Sequence, residues 1–376
     1  MRIKRISAAL LALGLLTGCG AGRGIYANFR PIEDLLPVET LGIDRIDGGA
    51  LHLAAAVEKG TGSARAVEAR APGLAQGLEA LQERAGGGRL FFSHCQSFVL
   101  GEDYARAGIG GLLDYVERDI HTRMGTRLYV VRESTAAALV AGGGDVTALL
   151  AAVRSETDAR GDSHVFDVRE TAVALSEQGA ALICALRPVR DGDGVLSAVP
   201  AGFGLLVDGR LVGYLDGGEA RAASLLLGVL GSAALEAELP ADGGAATLVM
   251  RCGAPDIRFR RGADGALTAE IRAAPEIELA AEEGGADLTA PAAVAALTAA
   301  VNERFRADIK AVFMRAKAMD ADFLGLGRAL RRGGADPAAL PPGWLCALDI
   351  EITVEAALTR SDGLGAPLGT TGGGGA

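Results

Sequence analysis

Residues 203–230 read FGLLVDGRLVGYLDGGEARAASLLLGVL, and this stretch decides the fold class. Phe203 to Val207 and Arg210 to Leu215 are short runs of strand formers. Between them stands Asp208-Gly209, a dipeptide suited to a two-residue hairpin turn. A helix from Glu219 to Leu230 follows. Strand, turn, strand, helix in so short a span points to mixed α/β architecture, not to segregated classes.

The same alternation extends in both directions. Upstream, Val38 to Asp44 and Ala50 to Val57 read as strands joined by Asp47-Gly48-Gly49. Gly60 to Arg70 is small and polar and reads as a loop. Leu74 to Ala85 reads as a helix stopped by three glycines, and Leu90 to Leu100 as a strand. Ala105, Ile109, Leu112, Leu113 and Val116 keep helical spacing. Arg127 to Val131 is strand-like. Ser134 can cap a helix through Ala136 to Ala141, and Val165, Val168, Ala172 and Leu175 suggest one more helix. Downstream, strands are expected near Thr247 to Arg251, Asp256 to Arg260 and Leu267 to Arg272. The longest helix starts at Pro291 and carries Leu297, Val301, Phe305, Ile309, Val312 and Met319 on one stripe. From Leu348 to Leu358, Leu348, Ile350, Ile352 and Val354 alternate with Asp349, Glu351, Thr353 and Glu355, a strand with one buried face and one acidic face.

The N-terminus carries a separate message. Arg2, Lys4 and Arg5 precede an apolar run from Ile6 to Leu16, and the run ends in Leu16-Thr17-Gly18-Cys19. This resembles a bacterial lipobox, in which Cys19 takes a diacylglyceryl group and becomes the mature N-terminus. Buried acyl chains contribute about 0.8 kcal/mol per methylene, and two chains anchor stably where one does not. A plain secretory signal cleaved near Ala21 or Ala27 is the alternative. The expected organisation is a signal peptide over 1–18, a lipidated tether over 19–32, and an N-terminal α/β domain over 33–195. A C-terminal α/β domain over 196–361, with a possible split near 245, and a disordered Gly-rich tail over 362–376 complete it.

Composition narrows the function. The chain has 376 residues and a formal net charge of −10. An acidic body without a basic stripe does not suit nucleic acid. Apart from Cys19, the cysteines are Cys95, Cys184, Cys252 and Cys346, widely spaced and without zinc spacing; buried free thiols are expected. The four histidines fall in no metal-ligand pattern, and no phosphate loop is present. Ser93-His94-Cys95 would place neighbours on opposite faces of a strand, which forbids a triad among them. No catalytic residue, metal or cofactor is expected beyond the covalent diacylglycerol on Cys19.

Several landmarks, in order, carry a family resemblance: the lipobox; Leu41-Gly42-Ile43-Asp44; Phe92-Ser93-His94; Val99-Leu100-Gly101-Glu102 with Ala105; Leu112-Leu113-Asp114-Tyr115 with Arg118-Asp119; Gly202-Phe203; Leu211 through Asp216 with Glu219 and Arg221; Asp322 through Gly327; and Trp344 before the last strand. With these the chain resembles the C-subunit lipoproteins of bacterial spore germinant receptors, the Ger(x)C type. It departs from them after Cys19, where Gly20-Ala21-Gly22-Arg23 replaces the family's usual Trp-Asp and basic pair, and in its Gly-rich tail.

The resemblance implies a lipoprotein on the outer face of the inner spore membrane, without enzymatic activity. It would work beside a transporter-like B subunit and a membrane-spanning A subunit, which would bind the small-molecule germinant. Asp216, Glu219 and Arg221, together with Asp322, Gly325 and Gly327, are the exposed candidates for a partner surface. Two other readings stay open: a lipid-anchored solute-binding protein of a transporter, and an envelope hydrolase using His94 and Cys95.

Overall fold

The computed structural model describes residues 34–57, 65–142, 144–190, 192, 196–238, 245–263, 265–283 and 290–360. Cys19, the tether and the Gly-rich tail lie outside them. The described chain is a mixed α/β body, as expected, with three sheets and helices packed between and upon them.

The first sheet has nine strands: β1 (Leu35–Arg45), β2 (Leu51–Val57), β3 (Arg65–Ala71), β4 (Arg89–Phe91), β5 (Ser97–Gly101), β6 (Arg127–Val131), β7 (Ala180–Arg190), β8 (Leu196–Val207) and β9 (Arg210–Leu215). Their order is β3-β2-β1-β5-β6-β7-β8-β9, with β4 beside β1. The run β1-β5-β6-β7 is parallel, and the flanks are antiparallel. Parallel strands need both faces covered, and the sequence supplies two apolar sets of opposite parity. Leu53, Phe98, Leu100, Leu128, Val130 and Ile183 face one core. That core is closed by α1 (Leu74–Arg84), α2 (Glu102–Ala107), α3 (Gly110–Arg118) and α6 (Val168–Gln178). Ala54, Val99, Tyr129, Val131, Cys184 and Leu186 face the other core. It is covered by α4 (Ala136–Val140) and α5 (Val146–Arg160).

The hairpin that sets the fold class forms as expected. Asp208 and Gly209 both take positive φ, 49° and 72°, the backbone of a tight two-residue turn. Beyond it, α7 (Gly217–Leu226) and α8 (Pro291–Met319) pack against the smaller sheets. One of these holds β10 (Ser232–Glu238), β11 (Ala245–Arg251), β14 (Glu276–Glu283) and β16 (Ala357–Arg360). The other holds β12 (Asp256–Arg261), β13 (Leu267–Ala273) and β15 (Asp349–Val354). Leu297, Val301, Phe305, Ile309, Val312 and Ala316 form the buried stripe of α8. After it come α9 (Leu326–Arg332) and α10 (Trp344–Ala347). The acidic face of β15 is exposed, and Arg260 of β12 spans the sheet to Glu270 at 2.9 Å and Glu351 at 2.8 Å.

Several local expectations are corrected. Residues 65–71 form β3 at a sheet edge, because buried Val67, Ala69 and Ala71 alternate with exposed Glu68 and Arg70. The strand expected over Leu90 to Leu100 is cut by a 3-10 turn at Phe92–His94, so Ser93 and His94 do not sit in extended backbone. The helix through Ala105 and Val116 is two helices parted at Gly108, whose φ is 122°. Thr135, not Ser134, caps α4, accepting from the Ala138 N–H at 3.0 Å. The boundary placed near residue 195 lies outside the described residues, between β7 and β8, which pair antiparallel.

Candidate functional site

The partner-surface residues after the hairpin divide into one that faces out and two that fasten helices. Asp216 is exposed and starts α7, yet its side chain makes no cap. Its Oδ1 accepts instead from Arg132 Nη1 at 2.6 Å. Arg132 follows β6, and its guanidinium lies 4.1 Å from the centre of the Tyr214 ring. The result is a partly exposed Arg-Tyr-Asp patch across the strand ends. The cation-π contact with Tyr214 and the ion pair with Asp216 together hold the guanidinium in place.

Glu219 Oε2 accepts from Arg315 Nη1 at 2.7 Å and so ties α7 to α8. Arg221 is half-buried and reaches the Ala234 carbonyl at 3.4 Å, tying α7 to β10. Burial pushes its pKa down, opposed first by Asp308 and then by Asp162. Burial also pushes the Asp308 carboxyl up, with Arg304 and Arg221 opposing. Arg221 Nε and Asp308 Oδ2 are both buried without a hydrogen-bond partner.

The second candidate run is not a surface. Asp322 and Gly327 are buried, and Gly325 is half-buried, which corrects the expectation that this run is exposed. Asp322 accepts from the Leu326 N–H at 2.8 Å and the Gly327 N–H at 2.6 Å. The Asp322 carboxylate thus satisfies amides that a helix start otherwise leaves bare. Gly325 stands at the N-cap with φ 74°, a backbone that glycine adopts without penalty. A Cβ on Gly327 would come 3.1 Å from Asp322 Oδ2.

Sequence reading missed the role of Asp44. Its two carboxylate oxygens accept from the Ala136 and Ala137 amides, each at 2.7 Å, across more than ninety residues of chain. Burial raises its pKa, opposed by those two amides and by His52. Any side chain at Gly101 would collide with Asp44 Oδ1. The available signal was a carboxylate directly after the run Leu41-Gly42-Ile43. Its partner amides belong to a distant helix start that no periodicity links to it.

The hydrolase candidates do not assemble. Cys95 is buried, and burial pushes its thiol up to about 12, whereas a nucleophilic cysteine needs a lowered value. His94 is exposed and lies against Phe91, ring centres 5.5 Å apart. Cys184 and Cys252 are buried like Cys95, but Cys346 is exposed, against the expectation of buried thiols. Among the described residues no group of His, Cys, Asp and Glu could hold a metal ion, and no helix is long and apolar enough to cross a membrane.

Comparison with known proteins covers most of this architecture. Residues 28–142 match the family model described as spore germination protein N-terminal domain. Residues 201–362 match that described as spore germination B3/GerAC like, C-terminal. The crystal structure of the GerBC protein superposes with a TM-score of 0.55 at 15% sequence identity, covering 85% of this chain and 97% of that one. At that identity the likeness concerns the fold. No curated protein matches the chain.

Proposed function

Because the chain belongs to the spore germination GerAC family, that of germinant receptor C subunits, we propose that it is a lipid-anchored, non-catalytic subunit of a nutrient-germinant receptor at the outer face of the inner spore membrane. The observation that carries this reading is the order of the two matched stretches along one chain, with a fold that overlays nearly all of GerBC. The anchor is the diacylglyceryl group on Cys19. A membrane-held body meets its A and B partners at a raised local concentration. The germinant is taken by those partners, and the Arg132, Tyr214 and Asp216 patch is the contact surface offered to them.

The chemistry of the motif residues supports a structural role over a catalytic one. Asp44 and Asp322 spend their carboxylates on helix amides. Glu219 and Arg221 hold α7 in place. Changing Cys19 to Ala is expected to move the chain from the membrane fraction to the aqueous fraction of spores, and to weaken the response to nutrient. A C19A chain that stays membrane-bound with a normal response refutes the anchor.

A further inference from the structure

A polar cleft of about 340 Å³ opens between the N-terminal ends of β5 and β6 and one face of α5. Its floor is Ser97, Tyr129 and Leu150, which are 4%, 0% and 2% exposed. Its walls carry Arg127 from β6, and Arg154 and Asp158 from successive turns of α5. That volume lies at the small end of ligand clefts.

Three features mark the cleft as built for a ligand. Tyr129 Oη is fully buried beside Ser97 yet makes no hydrogen bond of good geometry. A buried hydroxyl left unpaired costs about 1–3 kcal/mol, so it calls for an acceptor. Neither the Arg127 nor the Arg154 guanidinium forms an ion pair among the described residues. Burial raises the phenol's pKa, while Arg127 and Arg154 both oppose that shift, so both charges bear on Oη. Arg127, Arg154 and the neutral Tyr129 phenol line one cleft, a setting for a carboxylate. Asp158, four residues after Arg154 on the same helix face, supplies the opposite sign on the wall of the cleft.

We propose that this cleft binds a small zwitterion of the α-amino acid class, its carboxylate held by Arg127, Arg154 and Tyr129 Oη and its amine by Asp158. A simple anion suits the cleft less well, because Asp158 stands on its wall and the whole chain carries −10. Arg154 and Asp158 lie between the two stretches matched by the family models. The inference does not rest on the receptor reading, which leaves the germinant to partner subunits.

The test is calorimetric titration of the full chain in detergent with each proteinogenic L-α-amino acid, and with propionate, isopropylamine and inorganic phosphate. At least one amino acid should bind saturably, and each of the other three probes about tenfold or more weaker. Arg154→Gln changes an exposed side chain and should retain the wild-type thermal unfolding curve, while Tyr129→Phe keeps the ring and removes the unpaired hydroxyl, so it should unfold at or above the wild-type midpoint. Each should weaken amino-acid binding by about tenfold. Asp158→Asn should erase the preference over propionate. Absence of amino-acid binding overturns the proposal. So does equal or tighter binding of propionate or phosphate to the unaltered chain, or affinity unchanged in both R154Q and Y129F.

Discussion

Asp44 and Asp322 do one job at two helix starts, each burying a carboxylate against the first amides of a helix. Removing such an acceptor strands buried donors. Asp44→Ala should therefore lower unfolding free energy by about 2–4 kcal/mol, read from the denaturant midpoint at constant slope. The pH response is a separate check. Burial raises the Asp322 pKa from its ordinary 3.8, against the Gly327, Leu326 and Gly325 amides and Arg328. The folded state then holds this proton more tightly than the unfolded chain does. Stability from the group is present in full below pH 3.8 and is lost as pH rises through the raised folded value. Asp322→Asn does not titrate. The wild-type stability minus that of the variant should therefore shrink as pH climbs through that window; a difference that grows would mean the amides hold the carboxylate ionised.

At the scale of elements, α7 and α8 are clamped by apolar packing and by the Glu219 to Arg315 pair. Both side chains are about a third exposed, so the pair is worth less than its geometry suggests. A double-mutant cycle of Glu219→Gln and Arg315→Gln should give a coupling of about 0.5–1 kcal/mol. The strongly patterned elements were legible in the sequence: the Asp208-Gly209 hairpin, the α8 stripe and the alternating β15. The rest failed for physical reasons. Helix α5 is rich in alanine, so its apolar and polar faces differ little in hydropathy and its periodicity fades. Gly108 splits α2 from α3 through a backbone angle that a hydrophobic pattern does not record. Asp216 followed the local capping rule in sequence, but Arg132, eighty-four residues away, offered its carboxylate a charged partner. Asp322 showed the reverse: it looked like surface, and its own next turn drew it inside.

At the scale of the whole molecule, a large mixed sheet covered on both faces packs with two smaller sheets through α7 and α8, with few large apolar side chains exposed among the described residues. Ile120, Val173, Val212 and Met314 are the large hydrophobics exposed among the described residues, and scattered singles of this kind need no partner. The proposed contact with other subunits is therefore assigned to charged and aromatic patches, Arg132 with Tyr214 and Asp216 foremost. Arg132→Ala should leave the fold intact, with a stability loss of about 1 kcal/mol or less, while reducing co-purification of partner subunits from spore membranes. Full recovery of partners with R132A would remove this patch from the interface.

The most direct measurement is the nutrient response of spores that lack this chain, followed by loss of refractility, beside spores in which the chain is restored. The expected result is a lost or strongly slowed response to at least one nutrient in the deletion, regained on restoration, with the response to non-nutrient triggers unchanged. A deletion strain that answers every nutrient as fast as its parent contradicts a receptor-subunit role.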